Sequence, residues 1–173
     1  MPPKSPVFHP LRIAIVTISD TRTSAQDLSG DTLVERIASA GHKLSGRILV
    51  VDDIAAIEAA LWHFLADENT DVILSTGGTG ITGRDVTPEA FRRILDKELP
   101  GFGELFRALS YAKIGTSAML SRAIGGVSGG KLLFALPGSP SAVADAWDSI
   151  LAHQLDSRTR PGNLVQLMPR LRE

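Results

Sequence analysis

The sequence predicts an α/β domain, a mostly parallel sheet with helices on both faces. Short apolar, β-branched runs alternate with stretches whose apolar residues recur at i, i+3 and i+4, which is the pattern of strands joined by crossover helices. Two of the apolar runs end directly in glycine-rich segments, and in such sheets the ligand binds beyond the carboxyl ends of the strands. A chain of 173 residues with 43% hydrophobic content is long enough for one domain with a substantial core.

Leu11 to Ile18 reads as the first strand, apolar enough to be covered on both faces. The polar stretch Ser19 to Gly30 leads into a helix on which Leu33, Val34, Ile37 and Ala38 share a face, ended by Gly41. Leu44 to Val51 is the second strand. The helix after it carries Ile54, Ile57, Leu61, Phe64 and Leu65, with Asp52 or Asp53 as its cap. Val72 to Ser75 is a third strand that runs straight into Thr76-Gly77-Gly78-Thr79-Gly80. Thr87 is expected to cap a helix that starts at Pro88 and buries Phe91, Ile94 and Leu95. A further helix after Pro100-Gly101 carries Phe102, Leu105, Phe106 and Leu109. Lys131 to Leu136 is another strand, closed by Pro137-Gly138-Ser139-Pro140, and Val143, Ala146, Trp147, Ile150 and Leu151 mark the last helix. Residues 1–10, with Pro2, Pro3, Pro6 and Pro10, read as a flexible, extended arm. Residues 11–157 read as the domain and residues 158–173 as a solvated, arginine-bearing tail.

Composition excludes several classes of function. With 18 basic against 19 acidic side chains, the chain lacks the electrostatic footprint that binding a nucleic acid demands. No cysteine is present, so disulfides, thiolate metal sites and a thiol nucleophile are excluded, and the composition fits a reducing compartment. The first residues lack the apolar segment of a signal peptide, and no run approaches the roughly 20 apolar residues of a membrane helix. A soluble, cytoplasmic protein is expected. His9, His42, His63 and His153 are scattered without metal-ligand spacing, and Trp62 and Trp147 sit on or beside apolar helical faces as core or interface residues.

The chemistry is expected at the strand exits. In Thr76 to Gly80, absent Cβ atoms let a phosphate approach backbone N–H groups, and the threonine hydroxyls add hydrogen bonds. The loop is neither a Walker A sequence nor a dinucleotide fingerprint. Asp85 follows just before a helix, Asp52 and Asp53 close the second strand, and Asp20 follows the first. Carboxylates converging on one edge beside phosphates call for a cation, and Mg²⁺ prefers one or two carboxylates plus phosphate oxygens. For Asp53, capping suffices. Arg122, in Ser121-Arg122-Ala123, is a candidate for bidentate contact with an oxyanion or for an ordinary ion pair. Gly138 allows close approach, and Ser139 or Ser141 can cap the last helix while donating to an anion at its positive end.

The motifs also form an ordered set. Asp20-Thr21-Arg22-Thr23, Leu28-Ser29-Gly30-Asp31, Thr76 to Gly80, Arg84-Asp85-Val86-Thr87-Pro88-Glu89, Ser121-Arg122-Ala123 and Leu136 to Pro140 together resemble the molybdopterin-binding MoaB/MogA family of molybdenum cofactor biosynthesis, from about Leu11 to Leu155. The resemblance implies a single three-layer α/β/α domain with a mostly parallel sheet. It also implies a reaction in which the terminal phosphate of molybdopterin attacks the α-phosphate of Mg-ATP, giving adenylyl-molybdopterin and pyrophosphate. On this resemblance Asp52 and Asp85 match the essential, Mg²⁺-binding carboxylates, and Thr76, Gly77, Gly78, Thr79, Gly80, Thr87, Ser121, Arg122, Gly138 and Ser139 hold molybdopterin or its phosphate. Ser19 and Asp20 lie on the nucleotide side. A homotrimer or a hexamer built from two trimers is implied, with the Phe102 and Phe106 region as its candidate surface, and other proteins of the pathway as further partners. The segments Gly101 to Arg107 and Ser110 to Ser117 resemble B-type members, which keeps a second reading open, a non-catalytic molybdopterin carrier or scaffold.

Overall fold

The computed structural model describes residues 6–173; Met1 to Ser5, which include Pro2 and Pro3 of the expected arm, lie outside the described residues. Six strands form one sheet in the order β2-β1-β3-β6-β5-β4. They are β1 (Arg12–Ile18), β2 (Lys43–Val50), β3 (Val72–Thr76), β4 (Lys97–Glu98), β5 (Ile124–Ser128) and β6 (Lys131–Leu136). The strands β2, β1, β3 and β6 run parallel, whereas β5 is antiparallel to both β6 and β4. The mostly parallel α/β sheet expected from the sequence is thus the one observed.

Alternate residues of the central strands feed two cores. Ile13, Ile15, Leu74 and Phe134 face α1 (Leu28–Ser39), α4 (Pro100–Ile114) and α5 (Pro140–Ala146), and α5 runs on through a π-helical turn, Trp147–Leu151. Ala14, Val16, Ile73 and Leu133 face α2 (Ile54–Ala66) and α3 (Thr87–Ile94). This period-2 sorting of near-continuous apolar strands produces the three layers.

Several local expectations are corrected. β4 and β5 had no strand signal, because β5 contains Gly125-Gly126 rather than a β-branched run. A Cβ on Gly125 would lie 2.6 Å from the Phe134 ring, so the glycine leaves room for the edge-on contact of Phe102 and Phe134, whose centroids are 4.9 Å apart. Phe102 and Phe106 are 4% and 2% exposed and pack in their own core; they form no surface. Thr87 does not cap α3: its hydroxyl donates to the Gly77 carbonyl at 2.9 Å instead. The expected solvated tail folds back, with Leu164, Val165, Met168 and Leu171 against the core. The described part of the arm is held as well. The His9 N–H donates to Ser157 Oγ (2.9 Å), the Ser157 hydroxyl donates to the Val7 carbonyl (2.7 Å), and Arg158 covers the Phe8 ring at 4.9 Å. No helix among the described residues is long and apolar enough to cross a membrane.

Candidate functional site at the strand exits

The chain leaves β1 toward β2 on one side and reaches β3 on the other, so the order of connection reverses between β1 and β3, where open α/β sheets bind ligands. Register places Thr17, Thr76 and Leu136 side by side, so the loops after β1, β3 and β6 open at one level. Val50 pairs with Ile18, which brings the exit of β2 to the same edge.

The glycine loop is fixed by what surrounds it. Gly77 has φ +106°, and a Cβ there would stand 2.1 Å from the Ile18 carbonyl oxygen; Gly78 has φ +68°, and its Cβ would fall 2.5 Å from Asp52 Oδ1 and 2.3 Å from Thr87 Oγ1. Only glycine lets the loop lie this close to both Asp52 and β1. The Thr76 hydroxyl donates to the Pro137 carbonyl (2.8 Å), and the Gly77 N–H donates to the Leu136 carbonyl (3.0 Å), which ties the β3 exit to the β6 exit. The hydroxyl protons of Thr76 and Thr87, expected to face a ligand, therefore join one loop to another. Thr79 is buried, and its carbonyl accepts from the Arg122 N–H at 2.9 Å.

Three carboxylates gather beside this loop. Asp20 accepts the Asp52 N–H at Oδ1 (3.0 Å) and two N–H groups of Arg84 at Oδ2 (2.9 and 2.7 Å), and these bonds hold its pKa below the usual carboxylate range. Asp52 is different. Its Oδ1 is buried without a hydrogen-bond partner, and burial, together with the charges of Asp20 and Asp85, pushes its pKa up. Asp85 closes its own turn, its Oδ2 accepting the Thr82 N–H (2.9 Å) and hydroxyl (2.7 Å). Burial opposes its charge, but these bonds, the Gly80 N–H and nearby Arg122 outweigh it and lower its pKa.

Arg122 holds the site together from behind. Its Nε donates to the Gly80 carbonyl (2.7 Å), one terminal nitrogen to the Asp85 carbonyl (2.8 Å), and the guanidinium pairs with Glu89. The ion-pair alternative weighed for Arg122 is therefore what the structure shows. Ser121 Oγ is buried without a partner beside a cavity of about 330 Å³ that Arg92, Arg107, Arg122, Glu98 and Glu104 also line. On the β6 side, Ser139 caps α5 by accepting the Ala142 N–H (3.2 Å), and the Gly138 carbonyl accepts from Ser29 Oγ (2.6 Å) and Arg22 (3.0 Å). Ser19 Oγ accepts the N–H groups of Thr21 and Arg22 (3.3 and 3.1 Å).

Sequence reasoning gave no role to Arg22, Asp27, Ser29 and Arg84. Asp27 is 1% exposed and binds Thr17 Oγ1 (2.6 Å), Arg47 (2.7 Å) and the Gly30 N–H (3.0 Å), which anchors the start of α1. Arg22 and Ser29 lie in the Asp-Thr-Arg-Thr and Leu-Ser-Gly-Asp motifs and Arg84 beside Asp85, so their positions were flagged while their contacts were not; Asp27, just before Leu28, carried no motif signal.

A metal fits only in part. Among the described residues no three His, Cys, Asp or Glu side chains are grouped to hold a metal ion. The orphaned Asp52 oxygen beside Asp20 does fit a cation whose coordination substrate phosphates complete, the habit of Mg²⁺. The largest of the cavities described, about 620 Å³, lies at the opposite edge between residues 6–11 and the C-terminal segment, far from these groups along the strands.

Fold and site define a three-layer α/β protein whose glycine loop and clustered carboxylates meet at the switch point of its sheet. Residues 14–157 match the family described as a probable molybdopterin binding domain, and the chain belongs to that family, in molybdenum cofactor biosynthesis. It is 46% identical over 156 residues to molybdenum cofactor biosynthesis protein B of Escherichia coli K12, covering 90% of this chain and 92% of that protein. The protein of the same description from Bacillus cereus is 51% identical over 146 residues, covering 84% and 86%. A crystal structure of a molybdenum cofactor biosynthesis protein B superposes with a TM-score of 0.86 at 46% identity, covering 95% of this chain and 97% of that one.

Proposed function

We propose that the protein binds molybdopterin at the strand exits and adenylates its terminal phosphate from Mg-ATP, releasing pyrophosphate. The observation that carries this reading is the buried, unpartnered Asp52 oxygen set against the glycine loop and coupled to Asp20 and Asp85. That oxygen has no hydrogen-bond partner within the protein, which leaves it poised for a cation brought by a phosphate chain.

The chemistry asks for no side-chain nucleophile. An oxygen of the pterin's phosphate forms a bond to the α-phosphorus of ATP as the bond to the β-phosphate oxygen breaks, and pyrophosphate leaves with that electron pair. The chain supplies alignment and exclusion of water. Thr76 to Gly80, with Gly138 and Ser139, cradle the pterin phosphate; Ser19 and Asp20 face the nucleotide. Asp52, with Asp85 behind it, would hold Mg²⁺, which when bound offsets the charge of the phosphates. Thr87 and Arg122 set the loop, and Arg122 and Ser121 border the 330 Å³ cavity, the space for the heterocycle. The same reading predicts a homo-oligomer, a trimer or a pair of trimers, through the exposed apolar side chains Leu105, Leu109, Tyr111 and Ile114 of α4 with Met119 and Leu120.

A carrier that presents molybdopterin without chemistry is the second reading. It is favoured by the internal commitments of Asp85 and Arg122, whose polar groups are taken up by the turn and loop around them. Incubation with molybdopterin and Mg-ATP, followed by mass spectrometry of the pterin and assay of pyrophosphate, separates the two. Adenylylated pterin that requires Mg²⁺ and disappears in Asp85→Asn supports the transferase, and tight pterin binding without product supports the carrier.

A further inference from the structure

We propose that Arg84 is the resting counter-ion of the Asp20 and Asp52 pair, displaced by the divalent cation and then re-used on the phosphate chain the cation carries. This rests on the phosphate-transfer site proposed above and adds a residue and a sequence of events to it.

Arg84 stands in the loop between β3 and α3, and its side chain is 70% exposed. Its hydrogen bonds among the described residues go to one atom, Oδ2 of Asp20, from Nε at 2.9 Å and a terminal nitrogen at 2.7 Å. That atom belongs to the carboxylate whose other oxygen accepts the Asp52 N–H at 3.0 Å. The pair thus forms a strap from the β3–α3 loop to the β1 exit, and the Asp52 N–H bond carries it on to the exit of β2. Two N–H groups on one oxygen leave a planar five-donor fork under-used. An exposed pair of this sort is weakly held, so Arg84 exchanges partners at small cost.

The carboxylates explain why a cation is needed at rest. Asp20 and Asp85 each repel the charge of Asp52, and Asp52 Oδ1 has no donor of its own. Arg84 attracts both Asp20 and Asp52, so it offsets part of that repulsion while no metal is bound. A divalent cation held at Asp52, directly beside Asp20, competes with the guanidinium for the same negative charge. Once released, Arg84 remains tethered beside the cation, within its own side-chain length of the phosphates bound there, and its fork matches phosphate oxygens. Arg84 is then a binding residue in the loaded state and a competitor in the empty one.

The two roles have opposite signs, which makes the test sharp. Arg84→Gln keeps the length of the side chain and removes the charge. Titration of the full chain with Mn²⁺ alone, read by the electron paramagnetic resonance of free Mn²⁺, is expected to show binding about tenfold tighter in Arg84→Gln than in the wild type. Titration with Mg-pyrophosphate, read by calorimetry, is expected to show binding about tenfold weaker. Mn²⁺ affinity that is unchanged or reduced overturns the proposal, as does tighter Mn²⁺ binding with unchanged pyrophosphate binding. The outcome is separable from the enzymatic reading: a wild type that shows this crossover with Arg84→Gln but makes no adenylylated pterin refutes the transferase and leaves the role of Arg84 standing.

Discussion

Two aspartates near neighbouring strand exits are treated in opposite ways. Asp27, at the start of α1, is almost fully buried yet fully partnered: Thr17, Arg47 and the Gly30 N–H outweigh the burial that opposes its charge and hold its pKa low. Asp52, at the exit of β2, has one oxygen buried without a partner, and its pKa is raised by burial and by two like charges. A fold that supplies three partners to one carboxylate and leaves an oxygen of another with none, at a neighbouring strand exit, sets scaffold apart from the proposed site. Asp27 stabilises the frame, and Asp52 stores an unmet demand for positive charge.

Substitutions should reveal this contrast, beginning with the strongest. Asp27→Ala removes the charge from a buried carboxylate and leaves Arg47 with the exposed Asp31 and the main-chain carbonyl of position 27; a loss of about 3 kcal/mol in denaturant unfolding is expected. Gly77→Ala forces a Cβ against the Ile18 carbonyl at a positive φ, and should cost at least about 2 kcal/mol by the same measurement. Asp52→Asn should act the other way. The folded-state pKa of Asp52 lies above its unfolded value, so the native state binds more protons between the two, and stability falls as pH rises through that window. The variant should gain on the order of 0.5 kcal/mol at neutral pH, after allowance for solvent screening, and the gain should vanish in acid. Asp27 has the reverse sign: its pKa is lowered, so the stability it contributes is present above the unfolded value and lost as pH falls through the folded one. Thermal midpoints of both variants across pH check the pair.

Much of this arrangement was legible in the chain. The alternation of apolar runs with 3.6-period stretches gave the parallel core, and the glycine run after Val72 to Thr76 marked the loop that meets Asp52. What stayed hidden depended on partners distant in sequence. β5 carries two glycines because the Phe134 ring and the Lys97 carbonyl occupy the space above them, and no local propensity reports that. Thr87 looked like a cap because the helix follows it, but Gly77 lies within reach of its hydroxyl. The arginine-bearing C-terminal segment read as solvated by charge, while its Leu164, Val165, Met168 and Leu171 determine where it packs. Asp27 and Asp52 are both aspartates next to a helix start; the sequence singled out Asp52, and the folded contacts add that Asp27 is the partnered one.

The most direct test is to compare wild type and Asp52→Asn for Mg²⁺-dependent formation of adenylylated molybdopterin, with the thermal midpoint of each at neutral pH. The account predicts a variant at least as stable as the wild type that forms no detectable product. A variant that turns over at the wild-type rate, or one that loses activity only because it unfolds, would contradict the separation of site from scaffold drawn here.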